Sequence, residues 1–173
     1  MITYTQALSL IKKYKLPEVT VSHSKGVSQI CFEIANAILG KNPGIGINPE
    51  KVRIAGLLHD IGRSKSGTHE MNTMEILQAE DLPDIAEIAA HGFLFEYYKL
   101  QGQEKNDYLP KTLENKIVVL SDMYYNQNQE RVTLDERFDD ILKRYSEDPE
   151  FIKIVQLAKP RMEALEREIL ALM

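Results

Sequence analysis

The sequence predicts an all-α protein, a single-domain helical bundle, and three observations carry that expectation. Apolar residues recur at helical spacing through nearly every segment. No alternating apolar–polar run is long enough for a pair of strands. The length of 173 residues suits about one domain, and 43% hydrophobic residues can fill its core. With no internal repeat and no low-complexity linker to divide them, residues 1–173 are expected to form one domain.

The elements follow in chain order. A short helix is expected over about 4–14. From His23 to Leu39 the positions Val27, Ile30, Cys31, Ile34, Ala35 and Ile38 form one apolar stripe. The segment Lys41 to Pro49 is dense in turn residues and reads as a loop. Asn48 then caps a helix with Pro49 at its first position, expected to run to about Gly62 through Val52, Ala55, Leu58 and His59. Further helices are expected at about 69–80, 83–91 (opened by Pro83), 93–101, 112–127, 134–145 and 149–171. Asp135 to Asp148 interleaves acidic residues with Arg and Lys and reads as a solvated face. Pro160 is expected to kink the last helix, whose stripe Met162, Leu165, Ile169 and Leu172 closes the core. A monomer and a homodimer are both compatible with that stripe.

Composition excludes several function classes. Lys and Arg number 21 against 26 Asp and Glu, a formal charge of −5 with pI near 5.4, which argues against DNA as a partner. The single cysteine, Cys31, lies on an apolar stripe and behaves as a small hydrophobe; it suits a reducing compartment. No apolar run approaches the ~20 residues of a membrane span, and no leader precedes Lys12 and Lys13, so a cytoplasmic location is expected. Gly44-Ile-Gly46 lacks the remaining residues of a phosphate loop, and there is neither a Gly-x-Ser-x-Gly elbow nor a Cys-x-x-Cys pair.

Chemistry therefore rests on the four histidines and on two carboxylates. His23, His59 and His91 each continue an apolar stripe, and His69 opens a helix. One such histidine reads as a core residue satisfied by a carbonyl; four of them call for a shared partner, because burying several unpaired imidazoles is costly. Asp60 is placed near a helix C-terminus, where the dipole disfavours an anion. Asp122 follows Ile117-Val118-Val119-Leu120 on a helix apolar on nearly all sides, so it needs an arginine, a hydrogen-bond network or a metal. A salt bridge with Arg53 or Arg63 is the structural reading of Asp122.

The dipeptide His59-Asp60 says little by itself, since chance places one in about one chain in five. His59-Asp60-Ile61-Gly62 is expected in only about one in a thousand. With His23 upstream, His69 and His91 downstream, and Asp122 beyond them, the ordered pattern resembles the HD-domain superfamily of metal-dependent phosphohydrolases, in particular its HDIG-type members. The resemblance covers about 22–126; the helices at about 134–171 carry no motif. It departs from the pattern in Lys65-Ser-Gly-Thr68, which offers no third acidic group before His69.

The resemblance implies a metal site made by His23, His59, Asp60, His69, His91 and Asp122. Four imidazoles and two carboxylates suit two divalent transition ions (Fe, Mn, Co, Ni or Zn) better than magnesium or calcium. One ion would take His23, His59, Asp60 and Asp122, the other Asp60, His69 and His91, with Asp60 shared. Consecutive helical positions about 100° apart would let His59 and Asp60 straddle the pair. The implied reaction is hydrolysis of a phosphomonoester or phosphodiester, with a nucleotide as the expected substrate, by metal-activated water. Asp60, Arg63 and Lys65 are the expected catalytic residues, the last two, with Lys25 nearby, as phosphate clamps. Tyr97, Tyr98, Tyr108, Tyr124 and Tyr125 offer rings to wall a pocket. Two alternatives use the same chain: a di-iron oxygenase on the same ligands, and a non-catalytic ligand sensor.

Overall fold

A computed structural model describes residues 2–173. Among them the helices are α1 (Tyr4–Lys13), α2 (Glu18–Lys41), α3 (Pro49–Leu58), α4 (His69–Ala79), α5 (Pro83–Ala89), α6 (Leu94–Leu100), α7 (Leu113–Met123), α8 (Leu134–Arg144) and α9 (Pro149–Leu172). Two 3-10 turns lie at Ile61–Ser64 and Asn106–Tyr108. Extended backbone pairs only once among the described residues, in an isolated bridge between Tyr125 and Arg131. The all-α expectation is met.

Local chemistry explains the starts. Thr3 and Thr133 form capping boxes with Gln6 and Glu136. Asn48, Thr112 and Asp148 each accept a hydrogen bond from the backbone N–H three residues on. Prolines occupy the first turn of α3, α5 and α9, where no N–H is needed.

Three boundaries differ from the sequence expectation by four or five residues. α2 begins at Glu18, five residues early, because its first turn is turned to solvent (Val19 is 56% exposed) and carries no stripe. α3 ends at Leu58 rather than Gly62. There the Gly62 N–H donates to Thr73 Oγ1 at 3.0 Å instead of continuing the ladder, and the chain tightens into the 3-10 turn. α7 ends at Met123 rather than 127, because the Tyr124 N–H closes on the Leu120 and Ser121 carbonyls and the chain doubles back, Val132 N–H donating to the Tyr124 carbonyl. α9 runs through Pro160, within the helix expected over about 149–171.

The core lies around α7, which contacts α2, α3, α5 and α9 and buries seven residues between Asn115 and Met123. α3 packs closely on α2 at Gly56, where a Cβ would come within 2.6 Å of Cys31 Sγ. Met162, Leu165 and Ile169 of α9 are buried, as the stripe predicts. Among the described residues no helix is long and apolar enough to cross a membrane.

Candidate metal centre

Five separate parts of the fold bring the four histidines and two aspartates to one place. α2 carries His23 and α7 carries Asp122. The junction between α3 and the 3-10 turn carries His59 and Asp60, α4 begins with His69, and His91 follows α5. The predicted placement of His59 and Asp60 on one continuous helix is corrected here. His59 keeps helical dihedrals, while Asp60 stands at the start of the 3-10 turn with φ −100° and ψ 13°. The break turns the two side chains into the same space without requiring an intact helix.

The distances define two overlapping groups. His23 Nε2 lies 3.0 Å from Asp122 Oδ1, and His59 Nε2 lies 3.6 Å from the same oxygen. Asp60 presents its oxygens differently: Oδ1 is 3.4 Å from His69 Nε2 and 3.5 Å from His91 Nε2, whereas Oδ2 is 3.8 Å from His59 Nε2. His23, His59 and Asp122 can converge on one ion, as can His59, Asp60 and His91.

The outer partners fix which nitrogen faces the site. His59 Nδ1 lies 2.7 Å from the Gly56 carbonyl, and His91 Nδ1 lies 3.1 Å from the Ala89 carbonyl. His69 Nδ1 lies 3.1 Å from Glu70 Oε2. Each of these nitrogens must carry the proton, so Nε2 is turned inward as the ligating atom. Two inward atoms, His59 Nε2 and Asp60 Oδ1, are buried with no hydrogen-bond partner. Buried polar atoms left so are rare, and a divalent transition ion would satisfy both. The residues present fit such ions.

Electrostatics agree with a site arranged for cations. Burial opposes ionisation of Asp122, but hydrogen bonds and charge from His23 and His59 hold its carboxyl well below the usual range. Asp60 is held low against the same penalty by His59, His91 and Arg63. Burial, with His91 and Arg63 alongside, takes His69 down to about 3. His91 goes up to about 9, because the Asp60 carboxylate beside its Nε2 and the charges of Asp122 and Glu70 outweigh burial.

Arg63 reaches the site. Its Nε lies 2.7 Å from Asp60 Oδ2, and its Nη2 donates to His69 Nε2 at 3.0 Å. Asp122 pairs with His23 and His59 and with neither arginine of its alternative salt-bridge reading: Arg63 joins Asp60, and Arg53 joins Glu50 and lies over the Tyr4 and Phe32 rings. Lys65 and Lys25 are exposed and do not line the cavity that opens on the site.

That cavity holds about 540 Å³. At one end are Arg63, His69, His91 and Asp122; Tyr97 and Tyr98 form part of its wall. Tyr108 stacks on Tyr98, while Tyr125 packs 5.8 Å from the His23 ring. Tyr124 points elsewhere and donates to Glu166 at 2.7 Å. Sequence reasoning missed Glu70, although an acid beside an expected histidine ligand was a usable signal. It also missed Arg137 and Arg144 of α8, which line the cavity with Tyr145 and Phe151. Their signal was the spacing: Arg137 falls on the apolar stripe of Leu134, Phe138 and Ile141, with Arg144 seven residues on.

The family model of the HD domain matches residues 20–127. A protein of Methanocaldococcus jannaschii described as uncharacterized is 42% identical over 127 residues, 69% of this chain and 73% of that protein. A tRNA (cytidine(56)-2'-O)-methyltransferase of Picrophilus torridus is 27% identical over 124 residues, 68% of this chain but only 34% of that enzyme. Among solved structures, the HD domain of the Listeria monocytogenes phosphodiesterase PgpH is similar at 23% identity and TM-score 0.46, covering 92% of this chain and 98% of that one. The same domain in complex with cyclic-di-AMP matches at 22% identity and TM-score 0.47, over 93% and 96% of the two chains.

Proposed function

The chain belongs to the HD-domain family, and on that premise we propose that it is a metal-dependent phosphohydrolase acting on a phosphate ester, a nucleotide in the favoured case. The observation that carries the reading is the inward turn of the histidine Nε2 atoms around Asp60 and Asp122, with His59 Nε2 and Asp60 Oδ1 buried and unpartnered. His23, His59 and Asp122, with Asp60 Oδ2, would hold one ion; Asp60 Oδ1, His69 and His91 would hold the second. Divalent ions at such a set supply Lewis acidity and lower the pKa of water enough for attack on phosphorus at neutral pH.

The chain's own residues supply the rest. Asp60 is the shared ligand, because its two oxygens face the two halves of the site. Gly56, Ala89 and Glu70 hold the imidazoles of His59, His91 and His69 in their ligating tautomers. His69 Nε2 has one lone pair, now taken by Arg63 Nη2; were that lone pair to hold an ion, the Arg63 Nη2 would be left to take a phosphate oxygen. That cation at the cavity mouth favours phosphate hydrolysis over oxygen chemistry on the same donors. The exposed Lys65 has no part in this reading. We further take residues 1–173 as one HD domain, α8 and α9 closing its cavity.

Elemental analysis of protein purified without chelators tests it. One to two equivalents of Fe, Mn, Co, Ni or Zn are expected, with phosphatase or phosphodiesterase activity lost on chelation and restored by the ion. Protein free of transition metal whose hydrolysis ignores chelators would overturn the reading.

A further inference from the structure

We propose that the cavity contains a second anion site, built by Arg137 and Arg144, and that the substrate is a phosphate ester carrying a second phosphate group. The identity of the first phosphate rests on the phosphohydrolase reading; the second site rests on observations independent of it.

Arg137 is only 6% exposed, yet it lines the cavity on the inward stripe of α8. A guanidinium withdrawn from water needs partners for its five donors. Among the described residues it has one carboxylate, Asp140, with Nη1 to Oδ2 at 3.2 Å, and its Nε has no hydrogen-bond partner. Arg144, seven residues on and facing the same way, uses its Nε on that same oxygen at 3.1 Å. Two cations thus share one carboxylate, leaving this end of the cavity with an excess positive charge and unused donors.

No carboxylate among the lining residues offsets that charge. Asp122 and Glu70 line the metal end, where they face His23 and His69. A phosphate group suits the α8 end, since it accepts paired guanidinium hydrogen bonds and neutralises both arginines. The rings of Tyr145 and Phe151, 4.5 Å apart, line the same end and offer faces to the base or ring beside such a group. A cavity of about 540 Å³ is in the range that encloses a nucleotide-sized molecule.

The test is calorimetric binding of adenosine 3′,5′-bisphosphate and of 5′-AMP to the full chain, with and without chelation. The wild type should bind the bisphosphate about tenfold more tightly than AMP. Arg137→Gln and Arg144→Gln should each remove most of that preference while changing AMP affinity less than twofold, and Arg137→Lys should keep part of it. Circular dichroism confirms folding, and the less buried Arg144 carries the test if Arg137→Gln unfolds. Equal weakening of both ligands, or no preference in the wild type, would overturn the second site. An arginine-dependent preference in protein that hydrolyses no phosphate ester would keep the second site and reject the phosphohydrolase reading.

Discussion

The bare α-carbon of Gly62 lies against the carbonyl oxygen of His69: a Cβ at Gly62 would overlap that oxygen and crowd the Thr73 amide nitrogen at 2.5 Å. This close approach lets the first turn of α4 pack on the 3-10 turn and puts His69 beside Asp60. The glycine of the His59-Asp60-Ile61-Gly62 run is thus a packing requirement of the site and not a flexible hinge. Gly62→Ala should push α4 outward, costing about 1–3 kcal/mol of stability. Elemental analysis should show metal lost first from the His69 side. An unchanged melt with full metal content would contradict this.

Thr73 ties the same junction from the other side. Its hydroxyl donates to the His59 carbonyl at 2.8 Å and accepts from the Gly62 N–H at 3.0 Å, all of it buried. Thr73→Val keeps the shape but strands both backbone groups, each worth about 1–3 kcal/mol when buried unsatisfied. Urea unfolding of the metal-free variant should show a loss of about 2–6 kcal/mol, the two groups together. Thr73→Ser should recover most of it.

Much of this was legible in the sequence, for reasons that differ by residue. The stripe from Val27 to Ile38 and the stripe of α9 specify buried faces because each needs a partner surface. Caps such as Asn48 and the prolines after it specify starts. The end of α3 was not legible, because it depends on Thr73, eleven residues beyond Gly62, whose hydroxyl competes for the Gly62 N–H. The site histidines and aspartates were visible as polar residues on apolar helices. Arg137 and Arg144 were harder to see: the spacing puts Arg137 on the stripe of Leu134, Phe138 and Ile141, but the charge alternation of α8 is also what a solvated face shows, and packing against α9 decides between them.

Asp60→Ala should be the most damaging single change at the site, since it removes the carboxylate facing both halves. Asp122→Ala should cost about one equivalent of metal and leave the His69 and His91 side loaded but inactive. Elemental analysis and a hydrolysis assay on both variants decide it. Near-normal activity in Asp60→Ala would show that the carboxylate is not shared.

Cys31 should be inert in the folded protein. Burial pushes its thiol up to about 12, and its sulfur is packed against Gly56 at the α2–α3 contact. A thiolate-specific colorimetric reagent should react at neutral pH only as fast as the chain unfolds. Reaction within the mixing time, without denaturant, would mean that α2 and α3 separate readily.

The stability of metal-free protein should peak near pH 6.5 as far as His69 and His91 govern it. His91 is raised to about 9 in the fold, so its contribution is complete below its unfolded value of about 6.5 and is lost as pH rises through 9. His69 is lowered to about 3, so it must stay neutral, and stability falls as pH drops from about 6.5 toward 3. Asp60 and Asp122, both held low, add stability above about 3.9 that is lost in stronger acid. Thermal melts of chelated protein from pH 4 to 9.5 should therefore decline on both sides of neutrality. The proton that His91 gains is the one a metal must replace at Nε2, so zinc added near pH 7 should release protons, read as a buffer-dependent heat. In His91→Ala that release should shrink and the decline above pH 6.5 should flatten. A wild-type melt that rises steadily from pH 6.5 to 9 would contradict the assignment of that proton to His91.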